Sequence, residues 1–400
     1  EQYIIKNSEY SSLVSEIIDN ENNLRIIKLT ENDLNDLKIG KFVSSIREKY
    51  MGDLLDTAYI KTKPVQNIQK PMVKHNINIL KEYQKYSIGE SNILEYINEI
   101  SLYINNECCL KCNHCDNGFN QFLCCTKNHD GVDNNIELSL EKITELLKIY
   151  KNTSLTNLNI LGGNILNYSV LTDLIATLNK LNIEINYYVH HQNLINFNKH
   201  KLAQFNDEKK HNRIKILIDN KFDEAEFINL NNSLHECSIK HEYIFIVQSE
   251  EDFNIFSGLI EKFSLVKYNF KPYYNGSNII FFEKNVYLDY DQLNNIKLSI
   301  KEIIANHELN KINFGRLIIF PNGKVYANSN AESLGNIDHD DIIDIVYKEL
   351  YEGRNWLLPR KKKAPCNQCI YETICPPISN YEYAIGKHNL CHIDEALLKI

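Results

Sequence analysis

From about residue 100 to residue 275, six short apolar runs alternate with amphipathic stretches, and this alternation limits the possible folds more than any other feature of the chain. The runs are Ile100 to Asn105, Leu158 to Leu161, Ile183 to Val189, Ile214 to Ile218, Tyr243 to Val247 and Val266 to Phe270. Repeated β-α units of this kind give a largely parallel sheet covered by helices. Between the first two runs, Leu140, Ile143, Leu146, Leu147 and Tyr150 recur at helical spacing behind Ser139, which predicts an N-capped helix packed on the sheet. Six units are fewer than the eight that close a full barrel. The expected class is therefore α/β, with a partial (β/α)6 TIM-like barrel and chemistry at the C-terminal ends of its strands.

Beyond the barrel, Arg316-Leu317-Ile318-Ile319-Phe320 and Val325-Tyr326 flank Pro321-Asn322-Gly323-Lys324, a turn signal that predicts a hairpin. An amphipathic stretch from Ile342 to Leu350 follows, and then the tail of the chain. Upstream, short β-like pieces (Tyr3-Ile4-Ile5, Leu24-Arg25-Ile26-Ile27) mix with a helical piece from Ile39 to Tyr50, and Pro64 and Pro71 mark Lys61 to Met72 as a linker. The expected division is 1–70 as a small α/β module, 71–98 as a linking and helical segment, 99–280 as the barrel and 281–400 as a C-terminal domain.

Composition narrows the function. A formal net charge of -8 offers no global field to a polyanion, and Arg360-Lys361-Lys362-Lys363 is the local basic run to consider. No apolar run approaches the ~20 residues that span a bilayer, and Glu1-Gln2-Tyr3 does not open a signal peptide. The expectation is a soluble, cytoplasmic protein with neither a nucleic-acid nor a membrane partner. Six of the 11 cysteines fall between Cys108 and Cys125 and four between Cys366 and Cys391, with Cys237 apart. Short spacings in a long chain without a secretory signal read as metal sites in a reducing compartment.

The segment Glu107-Cys108-Cys109-Leu110-Lys111-Cys112-Asn113-His114-Cys115 follows the first barrel run directly. Cys108, Cys112 and Cys115 form a C-x3-C-x2-C spacing, which lets one loop hold three irons of a [4Fe-4S] cluster and leave the fourth open to chelate S-adenosylmethionine (SAM). Cys109, Cys112 and Cys115 form a C-x2-C-x2-C spacing as well, and a structural zinc drawing on Cys124 and Cys125 is the alternative. Free buried cysteine is the ordinary role for Cys124, Cys125 and Cys237. Downstream, Cys366-x2-Cys369-x5-Cys375 and Cys391 supply four thiolates, enough for a fully ligated cluster or one zinc.

The first spacing, on the loop after the first strand of a partial barrel, resembles the signature of the radical SAM superfamily. That resemblance implies a set of SAM contacts. His114 would lie against the adenine, where a solvent-facing histidine is the alternative. Gly162 and Gly163 would allow the methionine end close to the backbone. Asn164 stands where the family has an acid for the methionine ammonium. Asp219 would contact the ribose, with a plain turn residue as the alternative. The second spacing, together with the hairpin and Leu334-Gly335-Asn336-Ile337, resembles the SPASM auxiliary-cluster domain of radical SAM enzymes that modify peptides. Asn328 and Ser379 stand where further cysteines are expected, which implies one auxiliary [4Fe-4S] cluster, on Cys366, Cys369, Cys375 and Cys391.

Met51-Gly52-Asp53-Leu54, Lys63-Pro64-Val65-Gln66, Gln121-Phe122-Leu123-Cys124-Cys125, Gly162-Gly163-Asn164 and Cys375-Pro376-Pro377-Ile378-Ser379-Asn380-Tyr381-Glu382 resemble the pseudo-radical-SAM/SPASM proteins of Bacteroidales peptide-maturation systems. The resemblance spans most of the chain. It implies a ribosomally synthesised Gly-Gly-leader precursor peptide as partner, a winged-helix leader-recognition element near the N-terminus, and a reductant protein such as flavodoxin or ferredoxin. Two functions compete: reductive SAM cleavage that crosslinks or epimerises the peptide, and a degenerate role that binds the peptide or a partner maturase without SAM turnover. A zinc-stabilised scaffold is a third.

Overall fold

The computed structural model describes residues 29–49, 52, 54, 56, 93–115, 118–125, 135–149, 153–195, 197–206 and 212–393. The expected N-terminal strand pieces and the linker from Lys61 to Met72 lie outside the described residues, as does most of the region read as a leader-recognition element. Two helices of that region are described, Glu31–Asn35 and Leu37–Glu48. Thr30 opens the first with a capping box, and the Asp36 carboxylate opens the second by accepting from the Lys38 and Ile39 N–H groups.

The six expected strands form: β1 (Glu99–Tyr103), β2 (Asn157–Leu161), β3 (Glu184–His190), β4 (Arg213–Ile218), β5 (His241–Val247) and β6 (Tyr268–Pro272). All are parallel and neighbour one another in chain order. Helices return the chain between them, and three of these are started by a short polar side chain. Ser139 accepts from Lys142 N–H to cap Leu140–Leu147, Asp223 caps Glu224–Glu236, and Ser249 caps Glu250–Phe263. Their apolar faces and the outward side chains of the strands, among them Leu102, Ile160, Tyr187, Ile216 and Phe245, form the main core.

One strand starts later than its apolar run predicts. The helix Glu250–Phe263 ends on Ser264 in the left-handed region (φ 48°), with Leu265 N–H donating back to Ile260 O at 3.0 Å. This helix-stop motif uses Leu265 and leaves Val266 89% exposed, so pairing begins at Tyr268.

Five inter-strand steps of about 4.8 Å would put β1 and β6 about 24 Å apart in a flat sheet. Instead the Tyr273 hydroxyl, one residue past β6, donates to Asn113 O in the loop after β1 at 3.1 Å. The inward side chains Tyr103, Tyr188, Ile244, Tyr273 and Ile318 form a single cluster as well. The row therefore curls into an unclosed barrel.

The predicted hairpin forms from β7 (Arg316–Ile319) and β8 (Lys324–Tyr326), joined by β9 (Gly335–Asn336). Its first strand also pairs in parallel with β1, Glu99 opposite Arg316 through Leu102 opposite Ile319, giving one sheet in the order β6-β5-β4-β3-β2-β1-β7-β8-β9. The amphipathic stretch becomes the helix Ile342–Glu352, and Trp356 behind it is fully buried, its indole donating to Arg316 O at 3.1 Å.

The inner face of the barrel is layered. At its base Glu99 pairs with Arg316 (2.8 Å) and Glu242 with Lys215 (2.6 Å), while Asn159 donates to Glu99 and Ser101. Above them Tyr103, Leu161, Tyr188, Leu217, Ile244 and Ile318 make an apolar floor. The strand ends above that floor carry the cysteine loop.

The basic run does not form a surface patch. Arg360 is buried, Lys361 pairs with Glu308 at 3.1 Å, and Lys362 donates to Leu357 O. Among the described residues no helix is long and apolar enough to cross a membrane.

Candidate functional site

The loop after β1 is fixed from several sides by groups that are not cysteines. Asn164 N–H donates to Glu107 O at 2.6 Å and Gly163 N–H to Asn105 O at 3.0 Å, while the Asn105 amide donates to Asn164 O. A Cβ on Gly162 would stand 2.3 Å from Asn105 Oδ1, and one on Gly163 would stand 2.3 Å from Glu107 O. The glycine pair therefore lets the end of β2 lie against the backbone of the cysteine loop. Its close approach is to the protein itself. Lys221, after β4, donates to Lys111 O at 2.9 Å, and Tyr273 holds Asn113 O.

A second segment, 118–125, spans the open side of the barrel. The Gln121 amide makes two hydrogen bonds with the backbone of Tyr274 (2.7 and 2.8 Å), and the Asn330 amide does the same with Asn120 (2.8 Å each). One clamp holds the end of β6 and the other the loop after β8. Cys124 and Cys125 are delivered by this segment to the apolar floor, both buried, beneath Cys115, whose thiol reaches Cys125 O at 3.6 Å. Burial first, then the neighbouring Cys115, pushes both thiols well above their ordinary range.

Of the first-cluster cysteines, Cys112 is buried, Cys108 and Cys115 are half-buried and Cys109 is exposed. The Cys115 N–H donates to Cys112 O, closing a tight turn. A shared hydrogen bond with Cys115, followed by burial, drives the Cys112 thiol far upward. Metal binding there would require these thiols to give up their protons.

His114 is buried rather than solvent-facing, its ring centre 6.3 Å from that of His190 and 6.1 Å from that of Tyr273. Among the described residues its Nε2 has no hydrogen-bond partner, an orphaned buried group that a bound ligand would satisfy. Asp219 stands as a turn residue that also faces His190. It accepts from Lys221 N–H at 3.1 Å as a turn residue, and its other oxygen lies 3.4 Å from His190 Nε2. Burial alone would raise its carboxyl, but His190, the Lys221 N–H and His191 outweigh that and hold it at about 2. His191 is kept neutral, with burial and then His190 bringing it down to about 4.

His190, His191 and Tyr273 were not singled out from the sequence. A signal was available, since each stands at or just beyond the end of an apolar run, where barrel chemistry sits.

Two groups of possible metal ligands bring three donor atoms within 4.8 Å among the described residues: Cys112 with His114 and Cys115, and Cys112 with His190 and Asp219. The second is a poor zinc site. His190 Nδ1 accepts from Gln192 N–H at 3.4 Å, which puts the ring proton of the neutral imidazole on Nε2, facing Asp219. Cys108 belongs to neither group, so the three cysteines of the C-x3-C-x2-C spacing do not converge on a single ion.

The second cysteine group is built differently. Cys366, Cys369, Cys375 and Cys391 line one cavity together with Leu288, Leu293 and Tyr371. A tetrahedral zinc with ~2.3 Å bonds would draw its sulfurs to about 3.8 Å of one another. No three of these thiols meet even within 4.8 Å among the described residues. Burial raises the Cys366, Cys369 and Cys375 thiols, the last to about 12, with Arg360 opposing the rise at Cys366 and Cys375.

Both positions where a further cysteine is expected carry structural hydrogen bonds. Asn328 donates to Asn380 Oδ1 at 2.8 Å and accepts from Asn330 N–H, and Ser379 opens the helix Asn380–Ile385. Cys237 is half-buried at the end of Glu224–Glu236 and packs against the main core.

Comparison with known proteins gives distant likenesses only. No known family model matches the chain, and no curated protein matches it. Among solved structures, Streptococcus suis SuiB bound to precursor peptide SuiA is similar at 16% identity and a TM-score of 0.46, over 94% of each chain. The same protein bound to S-adenosylmethionine is similar at 17% identity and a TM-score of 0.44, again over 94% of each chain. Native anSMEcpe with bound AdoMet and Kp18Cys peptide is similar at 13% identity and a TM-score of 0.47, over 69% of this chain and 88% of that one. Likenesses this remote carry no functional statement about the present chain.

Proposed function

We propose that the chain is an iron-sulfur protein of the radical SAM type that acts on a ribosomally synthesised peptide, in the cytoplasm, with a barrel over 99–280 and an auxiliary-cluster domain over 281–400. One observation carries the reading: a C-x3-C-x2-C loop stands at the C-terminal end of β1 in an open parallel barrel, carrying the buried, under-satisfied His114 and lying beside the His190–Asp219 pair. A [4Fe-4S] cluster on Cys108, Cys112 and Cys115 would supply an open iron for SAM and the electron for its reductive cleavage. The residues of the chain would then do ordinary work. His114 offers a buried ring and a free ring nitrogen to the adenine. Asp219, kept ionised, accepts from the ribose hydroxyls. The clamps on Asn113, Lys111, Asn120 and Gln121 hold the loop and keep water from the apolar floor.

Cys366, Cys369, Cys375 and Cys391 would hold the auxiliary [4Fe-4S] cluster, fed by a reductant protein such as flavodoxin or ferredoxin. The peptide partner and the crosslinking or epimerising outcome rest on the resemblance of the C-terminal cysteine pattern to peptide-modifying enzymes.

A second reading has its own support. The Asn164 side chain accepts from Leu166 N–H at 3.2 Å, so its oxygen is engaged in capping its own turn. This favours a protein that binds SAM weakly, or binds the peptide or a partner maturase without turnover.

The deciding experiment is anaerobic iron and sulfide quantification, with and without Cys108, Cys112 and Cys115 changed to Ala, coupled to 5′-deoxyadenosine release from SAM. About eight irons per chain falling to about four, with release only by the unaltered protein, supports the enzyme. Iron at both sites without release supports the binding role, and zinc with no iron refutes both.

A further inference from the structure

The cavity lined by the C-terminal cysteines has one carboxylic acid and one guanidinium in its wall, Glu372 and Arg360, and of these Arg360 reaches a thiol. Arg360 is 8% exposed, and its guanidinium has fixed partners on every side. Nη1 donates to Glu382 Oε1 at 2.8 Å and to His388 O at 3.0 Å, Nη2 reaches Pro377 O at 3.4 Å, and Nε donates to Pro376 O. The same Nη1 points at Cys366 Sγ from 3.5 Å. On the far side of the set, Tyr371 N–H points at Cys369 Sγ from 3.5 Å. Glu382, fully buried, balances the cation within one ion pair.

We propose that Arg360 sets the reduction potential of the cluster held by Cys366, Cys369, Cys375 and Cys391, with Glu382 as its counterweight. The proposal rests on the reading that these cysteines hold a cluster. Reduction adds one electron from the low-potential protein donor, with no bond made or broken. The added charge spreads onto the sulfurs, where an N–H donor and a buried cation stabilise it. Arg360 therefore raises the potential, and the Glu382 carboxylate, nearby and opposite in sign, lowers it. Because burial weakens the screening by water, both groups act more strongly than they would at the surface. A guanidinium suits the place: its planar fork holds three loop carbonyls and the Glu382 carboxylate while sharing one Nη1 hydrogen with the Cys366 sulfur, which the three hydrogens of a lysine ammonium cannot reproduce.

The test uses the full chain with Cys108, Cys112 and Cys115 changed to Ala, so that the C-terminal cluster alone is present. Its midpoint potential is followed by electron paramagnetic resonance during a reductive titration. Arg360→Gln shifts the potential to more negative values, Arg360→Lys shifts it less, and Glu382→Gln shifts it to more positive values. A purely structural Arg360 would lower iron occupancy without moving the potential of the loaded fraction. Should Arg360→Gln fail to load, the sign of the Glu382→Gln shift decides. Coincident titrations of the loaded variants overturn the proposal alone. Zinc and no iron in the parent protein overturns the cluster reading and the proposal with it.

Discussion

The two cysteine groups are held in opposite ways. At the barrel mouth the loop 105–115 is tied by Tyr273, Lys221, Asn105 and the Gly162-Gly163 backbone, reaching it from β2, β4 and β6, and none of these ties passes through a cysteine. Around the C-terminal cysteines, among the described residues, Leu293, Tyr371, Ile374 and Ile393 make a small buried apolar cluster, and Cys369, Cys375 and Cys391 pack against it as part of its bulk. Much of the remaining order hangs on the single guanidinium of Arg360. The mouth is thus preformed by the protein, and the lobe is completed by what its thiols bind. Where a core is this small, binding energy becomes folding energy.

Removing a thiol from each group should expose the contrast most strongly. Cys375→Ser is expected to destabilise the lobe by on the order of 5 kcal/mol or more, seen as early loss of hydrogen-exchange protection across residues 365–393. Cys112→Ser should leave the melting curve of the barrel close to that of the parent while its share of the iron is lost. Equal destabilisation by the two changes would break the comparison.

Gly163→Ala sharpens it from the protein side. The new methyl must displace Glu107 O, for about 3 kcal/mol of overpacking, and the displaced loop should lose its iron while the C-terminal site keeps its own. Iron and sulfide counts on this variant, with the cluster-free mouth triple mutant as reference, measure the effect.

The smallest effect concerns acid. The His191 ring titrates near 4 in the fold against an ordinary 6.5, so between these values the unfolded chain binds more protons and stability rises with pH. His191→Gln should flatten that rise, worth on the order of 3 kcal/mol across the window, in denaturant titrations at pH 4 and pH 6.5. A slope unchanged by the substitution would show that another group carries it.

How far the sequence could be read depended on the range of the interactions involved. The strands were legible because a parallel sheet buried on both faces writes itself as apolar runs, and Ser139 was legible because a cap acts on residues three positions away. The early start given to the sixth strand came from Val266, an apolar residue that the helix stop at Ser264 leaves exposed. Gly162 and Gly163 were found for their freedom of approach, but what they approach, Asn105 and Glu107, follows from strand pairing and not from local pattern. Tyr273 meets Asn113 across 160 residues, and no spacing rule reaches that far. Arg360 was hidden for another reason, because it opens a run of four basic residues that looks like solvated surface. Its burial is decided by Glu382 and the carbonyls of Pro376, Pro377 and His388, all supplied by the fold.

The parallel pairing of β7 with β1 makes the hairpin a seal on the barrel. A chain cut off before Arg316 would leave the backbone of Glu99 to Leu102 bare along one side and strand Glu99 at the barrel base without its cation. Such a fragment would present an unprotected apolar edge and associate through it. Proteolysis between the barrel and the hairpin should accordingly yield pieces that stay together until denaturant parts them, and a barrel expressed alone should be found in aggregates.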